Sequence, residues 1–139
     1  MIRAGNRDNK DDTYSTDDWI LAMIGPHYDP CPANANFDPL IHEDGLQVCW
    51  ADRSLPHNGK VFVNPPYSNP KPWVKKAIQS TYDGCIVILL LKHDTSTSWY
   101  GLLHEAGAHF IYPAKRLKFN TKTGSSFPSL IAVLHPKQF

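Results

Sequence analysis

Lys60-Val61-Phe62-Val63-Asn64-Pro65-Pro66-Tyr67, followed by Trp73 to Thr81 and then Cys85-Ile86-Val87-Ile88-Leu89-Leu90-Leu91, decides the fold. Lys60 to Val63 is a short apolar strand halted by Asn64-Pro65-Pro66, since two prolines remove two ladder donors. Pro72 suits the first turn of a helix over 73–81, with Trp73, Ala77 and Ile78 on one face and Lys75 and Lys76 outside. Asp83-Gly84 turns the chain into seven consecutive apolar residues, a pattern that predicts a central strand covered on both faces. Strand, helix and strand in this order form a right-handed βαβ unit.

Outward from that unit, Ser98 to Ala106 reads as a helix ended by Gly107, and His109 to Tyr112 and Leu130 to Leu134 read as strands. No helical pattern separates those last two, which predicts an antiparallel hairpin at one edge. Towards the N-terminus, Asp17 and Asp18 open a short helix containing Trp19, Ile20, Leu21, Met23 and Ile24, and Gly25-Pro26 stops it. His27 to Pro39 reads as a strand end running into a loop, and 1–12 as a polar arm before a single domain over 13–139. The expected fold is α/β: a compact, partly truncated, doubly wound sheet, mostly parallel, with an antiparallel edge hairpin.

Composition bounds the function. The 139 residues are 42% hydrophobic, enough for a real core, and 14 Lys+Arg against 13 Asp+Glu leave a formal charge of +1. That balance excludes a polybasic arm but not a local basic groove. The longest apolar run, 85–91, is far too short to span a membrane, and the first ten residues lack the apolar centre of a signal peptide. Three cysteines, Cys31, Cys49 and Cys85, cannot all pair, which fits a reducing, cytoplasmic setting.

Ligands of open α/β sheets bind beyond the carboxyl ends of the strands, where Asn64-Pro65-Pro66-Tyr67 stands. An aromatic amine is a poor nucleophile because its lone pair is delocalised into the ring. The Asn64 side-chain carbonyl and the Pro65 carbonyl can both accept hydrogen bonds from such an NH2 group, drawing the nitrogen towards tetrahedral geometry for attack on a sulfonium methyl. Pro65 and Pro66 stiffen the turn that holds these acceptors, and Tyr67 offers a flat face to a planar substrate. With residue frequencies of roughly 5% each, four specified residues in a row arise by chance in about one such chain in a thousand. A stiff loop with a rim aromatic is the plain alternative.

The chain resembles the short phage-type (Dam-like) DNA N-6-adenine methyltransferases, which use S-adenosylmethionine. The resemblance runs through Tyr14-Ser15-Thr16 with Trp19, Asp29-Pro30-Cys31, Asp44-Gly45-Leu46 with Trp50, Val61 to Ser68, and Pro72 to Ala77. It continues through the strand to Leu91, Trp99, Arg116-Leu117-Lys118-Phe119 and Phe127-Pro128-Ser129, covering 13 to about 134. It implies a Rossmann-like methyltransferase core in which Asn64, Pro65, Pro66 and Tyr67 are catalytic and Tyr14, Thr16, Asp29, Cys31 and Asp44 bind the donor. Asp29 would meet the methionine ammonium and Asp44 the adenine amino group of the donor. Departures are visible. Asp17 stands where the family has a proline, and no glycine lies between Tyr28 and Asp44. Thr16 also suits a helix N-cap, while Asp29 and Asp44 also suit turns. Only 13 residues separate Cys31 from Asp44, so one βα unit is expected to be shortened or lost.

Ser68, Lys92, Trp99, Arg116 and Lys118 are the candidate nucleic-acid contacts, because basic, polar and aromatic groups near strand ends suit phosphates and bases. The expected partner is duplex DNA with a flipped adenine, and a dimer is compatible with the small size. The histidines form no HxH or HxxxH pair and the cysteines no CxxC, so no metal is expected. Competing readings are methylation of RNA adenine or protein glutamine by the same chemistry, and a binding module without catalysis.

Overall fold

The computed structural model describes residues 18–32, 44–113 and 128–137. The elements run α1 (Asp18–Ile24), α2 (Trp50–Arg53), a 3-10 turn (Leu55–His57), β1 (Lys60–Val63), α3 (Lys71–Thr81), β2 (Ile86–Lys92), α4 (Ser98–Glu105), β3 (His109–Ile111) and β4 (Ser129–Leu134). One four-stranded sheet has the order β1-β2-β4-β3. β1 and β2 pair in parallel with Val63 opposite Leu89, and β4 is antiparallel to both of its neighbours.

The expected mostly parallel sheet is therefore corrected. Three strands share a direction, but the reversed β4 lies between β2 and β3 and leaves one parallel pair against two antiparallel ones. Burial gives the reason. Every residue of β4 except Val133 is buried, whereas His109 and Ile111 of β3 are exposed. The more apolar strand takes the inner position and the hairpin closes with β3 at the edge. A further segment extends the other side: Tyr28 bridges Val61 in parallel, its N–H donating to Lys60 O and its carbonyl accepting from Phe62 N–H, both at 3.0 Å. Among the described residues of the expected strand end, Tyr28 is the one that makes such a bridge.

Strand alternation divides the core between the two faces. Val61, Val63, Val87, Leu89, Leu91, Leu130, Ala132 and Leu134 meet Trp73, Val74 and Ala77 of α3, Trp99 and Leu103 of α4, and Trp50 of α2. Phe62, Leu90 and Ile131 meet Ile20 and Ile24 of α1 on the opposite face. Each fully buried Leu or Val contributes roughly 1.5–3 kcal/mol of transfer free energy, so the sheet is held from both sides. Lys60 secures α1 by donating from Nζ to the Ile24 carbonyl at 2.6 Å. Lys76, expected outside α3, instead holds its amine 5.8 Å over the Trp50 ring. The expected arm over 1–12 and shortened unit between Cys31 and Asp44 fall largely outside the described residues.

Candidate active site

The parallel directions of the Tyr28 segment, β1 and β2 bring three loops to one end of the sheet. Tyr28 is level with Val61, so Asp29-Pro30-Cys31 leaves the sheet beside Asn64-Pro65-Pro66-Tyr67, and Lys92-His93-Asp94 follows β2 at the same end. β4 begins there as well, with His93 N–H donating to Pro128 O at 2.9 Å. Six of the predicted catalytic and donor-binding residues, Asn64 to Tyr67 with Asp29 and Cys31, thus share one end of the sheet, whereas Tyr14, Thr16, Arg116 and Lys118 lie outside the described residues.

Pro65 is buried, whereas Asn64, Pro66 and Tyr67 are half-buried at the rim and Ser68 is exposed. The Pro66 carbonyl accepts the Asn69 N–H at 3.1 Å and closes a turn over 66–69. That bond commits one carbonyl of the motif, and the side chain of Asn64 and the carbonyl of Pro65 are the acceptors its chemistry calls for. The Tyr67 hydroxyl is buried, so the ring enters the rim with its polar tip inward. Trp73 N–H and Val74 N–H both donate to the Pro70 carbonyl at 3.0 Å, tying the start of α3 to the end of the loop.

Asp29 and Asp44 both serve the turns that their sequences suggested. Cys31 N–H donates to Asp29 Oδ1 at 2.9 Å, and Leu46 N–H donates to Asp44 Oδ1 at 3.0 Å. Both carboxylates are nevertheless exposed, and the loops that carry them touch. A Cβ added to Gly45 would lie 2.0 Å from Pro30 O and 2.8 Å from Pro30 C, so only glycine permits this approach. The indole N–H of buried Trp50 donates to the Gly45 carbonyl at 2.7 Å and holds the second loop from beneath. Trp50 is itself stacked against Trp73 with ring centroids 6.4 Å apart. Cys31 packs partly buried against the main core.

Among the predicted nucleic-acid contacts, Lys92 is exposed at the end of β2. Trp99 is only 6% exposed and packs in the core, so the helix register of α4 gives it a packing task. Sequence reasoning missed the rings beside it. His93 and Tyr112 have centroids 4.9 Å apart, Tyr100 and Phe110 5.1 Å, and the Tyr100 and Tyr112 hydroxyls lie 3.1 Å apart. The bond to Tyr100 holds the Tyr112 phenol above its ordinary pKa. Elsewhere, burial pushes the Cys85 thiol up, with the Ser54 hydroxyl opposing it. The Ser96 hydroxyl and N–H pull the Asp94 carboxyl down.

A groove of about 290 Å³ between residues 47–50 and α3 is lined by Gln47, Cys49, Trp50, Lys76 and Asp83 among others, none of them predicted site residues. Among the described residues no group of three or more His, Cys, Asp or Glu could hold a metal ion. No helix among them is long and apolar enough to cross a membrane.

The fold is thus an α/β domain whose Asn-Pro-Pro-Tyr turn lies at one sheet end beside two acidic loops that touch each other. Comparison with known proteins gives its family. The family described as DNA N-6-adenine-methyltransferase (Dam) matches residues 5–129, and the chain belongs to that family. It is 27% identical over 165 aligned positions to the DNA N-6-adenine-methyltransferase of Haemophilus phage HP1 (strain HP1c1), covering 99% of this chain and 86% of the relative. It is also 38% identical over 55 residues to the DNA N-6-adenine-methyltransferase of Escherichia phage T1, a match covering 40% of this chain and 23% of that protein. No solved structure matches the chain.

Proposed function

We propose that this protein transfers a methyl group from S-adenosylmethionine to the N6 amino group of adenine in DNA. The observation that carries the reading is the Asn64–Tyr67 turn at the carboxyl end of β1, beside two acidic loops locked together through Pro30 and Gly45. The close approach at Gly45 does what a glycine-rich loop would do elsewhere. It lets two backbone segments converge, with the glycine on the second loop. Asp29 and Asp44 stand at the two lips of that contact, suited to a ligand bearing an ammonium group at one end and an aminopurine at the other.

The donor supplies a methyl group already activated on a sulfonium sulfur. Everything else falls to the chain. Asn64 Oδ1 and the Pro65 carbonyl accept the two N–H groups of the adenine amine, orient its lone pair and lower the cost of leaving ring conjugation. Tyr67 stacks on the base and keeps the amine in line. As the nitrogen bonds to the methyl carbon, the carbon–sulfur bond breaks and S-adenosylhomocysteine leaves; the methylated nitrogen is acidic, so its proton goes to water without a strong base. In a duplex the adenine sits inside the stack, and it reaches Asn64 by flipping out. The bridge of Tyr28 to β1, the parallel β1–β2 pair and the reversed β4 support a Rossmann-like core with reduced strand number.

The deciding experiment incubates the protein with tritiated donor and DNA, RNA or protein acceptors, followed by nucleoside analysis. Labelled N6-methyl-2′-deoxyadenosine from DNA is expected. Label in cytosine, in RNA alone or in protein glutamine overturns the assignment.

A further inference from the structure

The five rings of His93, Tyr100, His104, Phe110 and Tyr112 form an unbroken strip across α4, β3 and the residue after β2. Successive centroids are 4.9 Å (His93–Tyr112), 6.2 Å (Tyr112–Phe110), 5.1 Å (Phe110–Tyr100) and 4.8 Å (Tyr100–His104). His104 closes the group by lying 4.9 Å from Phe110. Core packing does not account for all of them. Tyr112 is 48% exposed, and His104 is exposed on the outer side of α4. Tyr112 just past the edge strand and His104 on α4 are the exposed rings, while Tyr100 and Phe110 rest partly buried against the core; exposed aromatics beside an edge strand invite association, so their presence calls for an occupant.

Position identifies the occupant. His93 and Tyr112 lie at the carboxyl end of the sheet, the end that carries the Asn64 turn. β3 is three strand spacings from β1, about 14 Å at roughly 4.8 Å per spacing. At 3.4 Å per base-pair step along a strand, that span is about four nucleotides from the target adenine. Chemistry then selects the form of the nucleic acid. Duplex recognition rests on cations facing phosphates, whereas the described residues of this strip are phenols, a phenyl ring and imidazoles. Exposed aromatic faces suit bases whose own faces are free, the condition of an unpaired strand.

We infer that the strip is a stacking track for an unpaired DNA strand flanking the target adenine, on the side of the sheet where β3 forms the edge. The inference rests on the DNA-methylation reading for its substrate, and on the ring geometry for its place. A duplex opened on that side of the adenine would gain contacts here that a fully paired one cannot make. One stacked base is worth roughly 5- to 150-fold in affinity.

The test measures binding of the full chain by fluorescence anisotropy to three oligonucleotides. One is a blunt duplex with a central adenine, and the others have six unpaired nucleotides on one flank or the other. Expected is about tenfold tighter binding with one flank open and no gain with the other. Tyr112→Leu should abolish that gain and leave blunt-duplex binding within twofold, whereas Tyr112→Phe should keep it. Tyr112 is exposed, and thermal melting with donor binding verifies that the leucine variant is folded. Equal affinity for all three DNAs, or a Tyr112→Leu protein that keeps the gain, overturns the inference. Methylated adenosine is counted on the same oligonucleotides. Methylation with no flank effect removes the track alone, whereas a flank effect without methylation supports the track and removes the methylation reading.

Discussion

Replacing Gly45 with alanine tests the proposed donor site at its narrowest point. The new Cβ would sit 2.0 Å from Pro30 O, 2.8 Å from Pro30 C and 2.9 Å from Pro30 Cβ, where ordinary contact begins at 3.4 Å. Relief of the first contact requires a movement of about 1.4 Å (3.4 minus 2.0), and the obstacle is backbone rather than the tip of a flexible side chain. Overpacking of this kind costs about 1–3 kcal/mol. Loss of glycine's freedom in the unfolded chain returns only about 0.4–1 kcal/mol, so the clash wins. The cheapest relaxation separates the Asp29 loop from the Asp44 loop, because both lie at the rim while Trp50 beneath them is fixed by Trp73. The strain should therefore appear in donor binding more than in global stability. One to three kcal/mol corresponds to a rise in Kd of roughly 5- to 150-fold. Titration calorimetry with S-adenosylmethionine measures that rise, and a thermal melt separates it from unfolding. A Gly45→Ala protein that binds the donor as tightly as the parent would refute the claim that Pro30 and Gly45 shape its site.

Other expectations follow from the same geometry. Asn64→Ala should lower the methylation rate by about 10²–10³-fold, the scale for loss of one preorganised polar group, while donor affinity stays within a few-fold; single-turnover assays and calorimetry read the two separately. Trp50→Phe removes the indole N–H that donates to the carbonyl of buried Gly45, so it should destabilise the fold by about 1–3 kcal/mol in urea unfolding and weaken donor binding as well. Cys49 is exposed and Cys85 is buried with its thiol pKa raised, so iodoacetamide near pH 8 should modify Cys49 well before Cys85, as peptide mass mapping can show. The Asp94 carboxyl is held below its usual pKa by Ser96, so its bonds to Ser96 should persist above the ordinary carboxylate range and be lost as pH falls through the depressed value; the Ser96 amide resonance follows this titration.

The parts legible in the sequence were those set by local chemistry. Lys60–Val63 reads as a strand and Asn64-Pro65-Pro66 as its end because apolar alternation and missing N–H groups act within a few residues. The run from 85 to 91 reads as central because both faces are apolar, and β2 does lie between β1 and β4. The place of β4 was not legible, since Leu130–Leu134 is apolar whichever strand it pairs with and its partner Ile88–Leu91 is some forty residues away. Trp99 drew attention as an aromatic in a polar loop, yet it is the second residue of α4 and its helical direction sends it into the core. Asp44-Gly45 carries the signature of a turn. The turn is real, but it conceals the contact with Pro30, which depends on tertiary approach across fifteen residues of sequence.

Strand direction also explains why so small a domain can carry a site at all. Gly25, Gly59, Gly84 and Gly107 have positive φ, and each precedes one of the segments that run in parallel: Tyr28, β1, β2 and β3. Helices or turns therefore end in left-handed caps at the amino end of the sheet, where the chain reverses within a few residues. The carboxyl end carries instead the loops after Tyr28, β1 and β2, rich in proline and polar groups, and no positive-φ glycine among the described residues. The two ends thus divide the work: one closes the fold with short glycine turns, and the other is left with longer, stiffened loops that can face ligands. Inserting β4 between β2 and β3 adds to this, because its first residue, Ser129, is level with Lys92 at the loop-bearing end. A reversed strand at the sheet margin would place the rings of β3 next to β2 and closer to Asn64. The inner position moves them one spacing outward, which turns a packing decision made by the apolar side chains of β4 into the distance over which a bound strand must extend.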